Sequence, residues 1–493
     1  MFYLYPMKGN LTVLFFLALC LVTPGCVKQM PDEYRQLDEE TRTQRRYVNQ
    51  FAWNVMDKYY LWRDEIASEM SSWKNWEEPI GKVSKIRYKN AMGKDIDRWT
   101  LLTDDIGSLK SNLSGHTRTL GMDYQLYYTD KTQTRVCAAI TFTYAGSPAE
   151  KAGLGRGDVI LTIDGRKMTP SNYLQLVRER LLGGGTVTIG LSDDRTVTLT
   201  AVDMYENPVH TACVLETAGG RKVGYLHYTS FTLDSCEDLV EAFDGFVRAG
   251  IDDLVLDLRY NSGGYVITEN VLASMLAPLS AVEAESVFSQ QVYNKQLAKE
   301  VKDATTRFKT VHMFHVDEEL RIVSTAGSNP DLPRLYVLTT GSSASASEAL
   351  ICGLKPYMEV IQLGGKTSGK FCAGFVMDAT DWYKEMKSSL DKGEAEKAEP
   401  YVDNWGIYVM YSRYADCNGN TLSMPDGIAP DEEVDDNLRD GFALGDPRET
   451  MLAAALSRIE GRTRSYAPAP APALTPVPEG FHPRSTNLLI DRY

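Results

Sequence analysis

Hydrophobic and polar positions alternate along this chain in three regimes. From Gln44 to Trp62 the residues Val48, Phe51, Ala52, Val55, Met56 and Tyr59 recur at i, i+3, i+4, i+7, i+8 and i+11, the spacing of one helix face. With Trp73, Trp76 and Trp99 close behind, residues 26–112 are expected to form a helical region. From 113 to 205 the period shortens to that of strands, with two helical interruptions. Ser147-Pro148-Ala149-Glu150 is a capping box with proline at the first helical position, and Gly153 supplies the stop. A second helix is expected from Ser171 to Leu182, ended by Gly183-Gly184-Gly185, with strands at 159–163, 186–190 and 196–200.

From 206 to about 460 the pattern becomes strand–loop–helix, which predicts an α/β domain with a parallel or mixed sheet packed by helices. A helix from Asp234 to Arg248 stops at Gly250 and is followed by the buried strand Leu254-Val255-Leu256. A strand at 335–339 runs into Gly341-Ser342-Ser343-Ala344-Ser345-Ala346-Ser347-Glu348 and a helix. A strand at 360–363 leads into Gly364-Gly365-Lys366-Thr367-Ser368-Gly369-Lys370. Residues 285–330 form a polar excursion that reads as an insertion. In the tail, 461–493, Pro468, Pro470, Pro472, Pro476 and Pro478 enforce an extended segment. Residues 485–493 either dock as one more short element or hang free.

Composition narrows the function classes. A chain of 493 residues exceeds one core and implies about three domains. Apolar residues at 43% and charged residues at 24% are ordinary for a globular protein. A net charge of −14 leaves no basic surplus for phosphates, which argues against a nucleic-acid partner. Eight cysteines, none in a Cys-x-x-Cys pair, are too sparse for a disulfide scaffold. The histidines are scattered, and His312 and His315 lack the further partners of a zinc site, so no metal and no other cofactor is expected.

Near the start, Lys8 precedes an apolar run from Leu11 to Val22, too short to span a bilayer core of about 30 Å but the size of a signal-peptide core. The run ends in Thr23-Pro24-Gly25-Cys26. A small residue before a cysteine resembles the lipobox of bacterial lipoproteins, although Thr23 and Pro24 depart from its usual preferences. The resemblance implies removal of residues 1–25 and a membrane anchor through lipidated Cys26. The alternative is a plain secretory signal in which Cys26 is incidental. Either way the protein is expected to be exported to a bacterial cell envelope, as a periplasmic or outer-membrane lipoprotein in the first case.

Three glycine-rich loops follow strands, where open α/β folds place their sites. Ser345-x-x-Glu348 is itself a capping box, but capping does not require the whole small-residue run around it. Small residues admit a substrate backbone, and a helix N-terminus offers N–H groups to a developing oxyanion. A serine needs a base at neutral pH, and Lys370 sits in the next strand-end loop. A lysine base must be held un-ionised by burial, and Phe371 and Phe375 are the nearest apolar residues in sequence. A rival reading takes Gly364 to Lys370 as a nucleotide-binding G-x-x-x-x-G-K loop. Phe371 stands where Ser or Thr should hold magnesium, and Gly374 breaks the helix that should follow, so no nucleotide is expected.

Two resemblances join these observations. The string SPAEKAGLGRGDVILTIDG, Ser147 to Gly165, resembles the PDZ domains of bacterial proteases. It implies that 113–205 is a β-rich unit with two helices that binds a C-terminal peptide as an added strand. Leu120-Gly121-Met122 stands where the carboxylate-binding loop should be. The run Ser343 to Glu348, Gly369-Lys370, Asp257-Leu258-Arg259 with Asn261, Gly263 and Gly264, and Gly427-Ile428-Ala429-Pro430-Asp431 together resemble the C-terminal processing (tail-specific) serine peptidases. That family implies a crotonase-like (ClpP/crotonase) α/β core over 206–460, Ser345 as nucleophile and Lys370 as general base. The N–H of Ala346, with that of Gly263 or Gly264, would form the oxyanion hole. Substrates would be proteins or peptides with exposed C-termini. Two departures stand out: some members orient the lysine with a glutamine where this chain has Gly374, and some carry an aspartate where it has Pro356. His227 is an alternative base. The competing function is a non-catalytic PDZ scaffold or ligand-binding protein on the same fold; retention of both Ser345 and Lys370 argues against it.

Overall fold

The computed structural model describes residues 31–316, 319–387, 390, 393–422, 424–462 and 475–477. The signal segment with Cys26, and residues 485–493, lie outside the described residues. Among the described residues no helix is long and apolar enough to cross a membrane. The chain divides into two compact units, one of Leu109–Val292, Asp303–Cys372 and Arg413–Tyr493, the other of Met1–Ser108, Tyr293–Lys302 and Ala373–Ser412.

The first unit is built on a six-stranded sheet. Val209–Glu216 pairs antiparallel with Lys222–Tyr228, and Asp253–Asp257, Arg334–Thr339, Glu359–Gly364 and Glu432–Glu433 then add in parallel. Successive strand residues point to opposite faces, and both faces here are apolar. Leu226, Leu254, Leu256, Leu335 and Val337 join the core that holds the helices Ser235–Ala249, Val266–Leu276 and Ala346–Leu354. Their neighbours Val223, Tyr225, Val255, Tyr336 and Leu338 pack on the helix Thr450–Ile459. The result is a three-layer α/β/α core. Gly250 ends its helix at φ 63°, the left-handed value expected of a glycine stop. The 285–330 excursion forms the strands Val287–Tyr293 and Thr305–Arg307 and the hairpin Val311–Val316 with Glu319–Ser324.

The same unit holds a second sheet, ordered Thr475–Pro476, Met122–Tyr128, Val136–Thr143, Val159–Ile163, Thr186–Leu191, Thr196–Thr200. Ser147 caps the helix Pro148–Lys151 by accepting from the Glu150 N–H, but the Glu150 carboxylate accepts the Gly146 N–H and the Ser147 N–H goes to the Tyr144 carbonyl, so only half of the expected capping box forms. The expected 171–182 helix is an α-turn, Tyr173–Leu176, continued as the π-helix Val177–Leu181.

In the second unit the amphipathic helix runs from Glu39 to Tyr59; it starts five residues before Gln44, because Asp38 caps it through the Thr41 N–H, and it ends before Trp62. Its buried face includes Val48, Phe51, Ala52 and Val55. The helices Ala379–Met386 and Glu394–Val402 pack on it, with Trp382 edge-on to Phe51. The N-terminal helical region is therefore completed by residues distant in sequence.

Candidate active site

The serine loop links the strand Arg334–Thr339 to the helix Ala346–Leu354, and Ser345 sits at that junction with φ 57° and ψ −115°. A non-glycine residue held there stores about 1–3 kcal/mol of backbone strain, so the surrounding bonds must fix it. They do. Ser343 Oγ donates to the Leu258 carbonyl at 2.7 Å, Ser347 Oγ to the Asn261 carbonyl at 3.0 Å, and the Ala344 N–H to that same carbonyl at 3.0 Å. The small-residue run is thus a set of stitches to the 258–264 loop.

Glu348 joins this loop to the lysine loop. Its Oε2 accepts the N–H groups of Ser345 at 3.0 Å and Lys370 at 2.8 Å, while Oε1 accepts the Gly369 N–H at 2.8 Å and the Thr367 hydroxyl at 2.5 Å. Burial pushes the Glu348 carboxyl up, against the pull of those four donors. Thr367 Oγ1 also accepts the Ile428 N–H at 2.6 Å, which brings in the Gly427–Asp431 segment. Ser345 and Lys370 are each 6% exposed. The Phe371 ring packs edge-on against Tyr414.

The glycines of the 258–264 loop meet the serine directly. A Cβ on Gly263, at φ 105°, would lie 2.6 Å from Ser345 Cβ and 3.1 Å from the Ala346 nitrogen. The Gly263 N–H donates to Asn261 Oδ1 at 2.8 Å. Of the two glycines, Gly264 is the one whose N–H has no partner among the described residues, alongside that of Ala346 at the helix N-terminus.

Beneath the rim lies a largely buried ion cluster, with Arg259, Asp257 and Glu449 fully buried. Arg259 donates to both Asp257 oxygens and to Glu449 and Asp436, and Arg156 reaches Asp436 and Glu449. The two guanidiniums pull Asp436 down to about 2 despite its burial. The backbone carbonyl of Arg259 accepts the Thr340 hydroxyl, so the cluster supports the serine loop. Sequence reasoning noticed Arg259 but not Asp436 or Glu449, which no local motif marks, nor the part that Arg156, inside the Ser147–Gly165 string, plays here. It also read Glu348 as a cap alone.

The remaining candidates fall elsewhere. His227 is fully buried against Phe142, His210 and Tyr260, and burial pushes its imidazole well below the usual range. Those rings, not the serine loop, are its aromatic neighbours. Position 374 has no room for any side chain, since a Cβ would lie 2.2 Å from Met410 Cε. Phe375 packs on Tyr59 and Tyr411. Pro356 is exposed beyond the end of the Ala346–Leu354 helix. In the second sheet, Leu120 and Met122 are buried in its core, and Gly121 sits at φ 75°, where a Cβ would collide with Ser147. The Gly121 N–H donates to the Thr119 hydroxyl at 2.9 Å, and that hydroxyl donates to Glu206 at 2.9 Å. Desolvation raises Glu206 to about 7, with nearby Asp123 adding to the effect.

Residues 222–434, which contain every element of this rim, match the model of peptidase family S41. Residues 143–181 match a PDZ domain. The chain is 27% identical to a carboxyl-terminal-processing protease of Picosynechococcus over 428 residues, 83% of this chain and 87% of that one. It is 25% identical to the carboxy-terminal processing protease CtpB of Bacillus subtilis over 295 residues, 59% and 51% of the two chains. A crystal structure of an S41 protease from Bacteroides fragilis described as putative superposes with a TM-score of 0.62 at 24% identity, covering 84% of this chain and 97% of that one. That likeness gives the same fold.

Proposed function

We propose that this chain is a serine endopeptidase of the C-terminal processing type, with Ser345 and Lys370 as its catalytic pair. The observation that carries the assignment is the Glu348 carboxylate, which gathers donors from both loops and so fixes the two residues on one rim. Ser345 Oγ attacks the peptide carbonyl carbon and its proton passes to the Lys370 amine. The N–H groups of Ala346 and Gly264 receive the oxyanion. Collapse of the tetrahedral species breaks the C–N bond, and the lysine returns the proton to the leaving amine. Water then adds to the acyl carbon while Lys370 accepts its proton; the second tetrahedral species breaks the acyl C–Oγ bond and Lys370 returns the proton to Ser345 Oγ, which frees the new C-terminus and Ser345. The PDZ domain recruits substrate chain ends, with Leu120, Gly121 and Met122 forming the carboxylate-binding turn.

The test is cleavage of unfolded envelope proteins by wild type beside Ser345→Ala and Lys370→Arg, with mapped products. Arginine keeps the positive charge but does not deprotonate, so both variants are expected to lose activity by at least about a thousandfold. Near wild-type turnover in Lys370→Arg overturns the pair. The protein is further proposed to be exported and anchored through Cys26, supported by the apolar run and the small residue before that cysteine. Metabolic palmitate labelling should vanish in Cys26→Ser, and persistence of the label refutes the anchor.

A further inference from the structure

The open edge of the PDZ sheet already has an occupant from the same chain. Thr475 and Pro476 pair antiparallel with Tyr128 and Tyr127, and the Val477 N–H donates to the Leu126 carbonyl at 3.1 Å. Val477 is 5% exposed and belongs to the buried cluster containing Leu120, Leu126, Leu176, Val177 and Leu181. The other edge of Met122–Tyr128 is taken by Val136–Thr143. A peptide adding as a strand beside the Leu120-Gly121-Met122 turn needs the edge that 475–477 covers.

The sequence suits this place. In an antiparallel ladder, N–H groups face the partner strand at alternate residues. Val477, which donates inward, follows Pro476, which has no N–H to leave exposed on the outer side. Proline also pre-extends the segment, which lowers the entropy lost on docking. Its direction, from Tyr128 toward Leu126, is that of a chain heading for Gly121. The chain continues past Val477, so the docked stretch is internal and carries no terminal carboxylate.

We propose that the segment around Thr475–Val477 is a resident ligand of the PDZ groove, which an incoming substrate must displace. This rests on the reading of the PDZ domain as the recruiter of substrate C-termini. The resident has tethering in its favour, and a substrate has a carboxylate whose charge-assisted bonds the resident lacks. The competition therefore admits true chain ends and rejects internal extended segments of similar sequence.

The experiment compares three forms by fluorescence anisotropy, using a labelled peptide with an apolar free C-terminus: the full chain, the chain ending at Arg462, and full-length Val477→Asp. Removing the resident is expected to tighten binding about tenfold or more, with Val477→Asp moving in the same direction. A fourth form, Tyr128→Cys with Thr475→Cys, should cross-link on oxidation, lose peptide binding and regain it on reduction. Equal affinity in the full and shortened chains, or failure of the cysteine pair to cross-link, overturns the resident ligand while leaving recruitment intact. Binding to none of the four forms overturns recruitment itself, and the proposed competition with it.

Discussion

Replacing Glu348 tests whether one carboxylate holds the rim together. In Glu348→Gln the amide keeps one oxygen. Turned toward Ser345 and Lys370, that oxygen preserves the two N–H bonds now 3.0 and 2.8 Å long. The NH2 then faces Thr367, whose hydroxyl can turn and accept, and the Gly369 N–H, which loses its acceptor. The lost charge assistance is offset because a charge is no longer buried, so the net cost is two orphaned donors, the Gly369 N–H and the turned Thr367 O–H, about 2–6 kcal/mol. In Glu348→Ala the N–H groups of Ser345, Gly369 and Lys370 and the Thr367 hydroxyl all lose their acceptor, and the cost rises to about 4–12 kcal/mol, comparable with a domain's whole stability. Thermal unfolding should show a drop of about 4–24 °C for the glutamine variant and a far larger one, or failure to fold, for alanine. A displacement of the lysine loop by about 1 Å is expected to lower kcat about a hundredfold in Glu348→Gln while KM changes little. If alanine unfolds no earlier than glutamine, or if both retain wild-type kcat, Glu348 does not position the pair.

Two further predictions concern pH. Glu206 titrates near 7 in the folded chain, above its ordinary value of 4.5. Its neutral form is the one folding favours, so its contribution is full below about pH 4.5 and is lost as pH rises through 7, at most about 3 kcal/mol. Urea midpoints at pH 5 and pH 8 should differ, and Glu206→Gln should flatten the difference; an unchanged slope refutes the assignment. His227 is shifted the other way, so its contribution is present above 6.5 and is lost as pH falls, when the unfolded state takes up the proton. Both its ring nitrogens are buried without a partner. His227→Phe should therefore raise stability at pH 5.5 by about 1–3 kcal/mol and leave peptide cleavage at pH 8 unchanged. Lost cleavage at pH 8 would return His227 to the catalytic site.

The sequence makes the core legible because its signals are local. Apolar runs such as Leu254 to Leu256, the Gly250 stop and the strand-end glycine loops each state their own conformation. Ser345 and Lys370 could be paired because consecutive parallel strands deliver their loops to one edge. What escaped depends on partners far along the chain. Nothing near Phe51 says that Trp382 will cover it, and nothing near Arg156 points to Asp436 or Glu449. The prolines around Val477 announce an extended segment but not the strand it joins. Glu348 hid in plain view, because one carboxylate serves a local cap through one oxygen and a distant loop through both.

With Ser345 and Lys370 as the proposed pair, the stitching of the rim also bears on when the site is assembled. Its parts come from 258–264, 343–348, 367–370 and 427–428, and each is held by bonds to another of these segments as well as by local ones. Contacts so far apart in sequence form late, after the sheet that carries them. A chain still emerging, or halted partway through folding, has a serine and a lysine but no rim between them. On the proposed Ser345–Lys370 pair, the chain is expected to cut neither itself nor its neighbours until the segment containing Ile428 has docked.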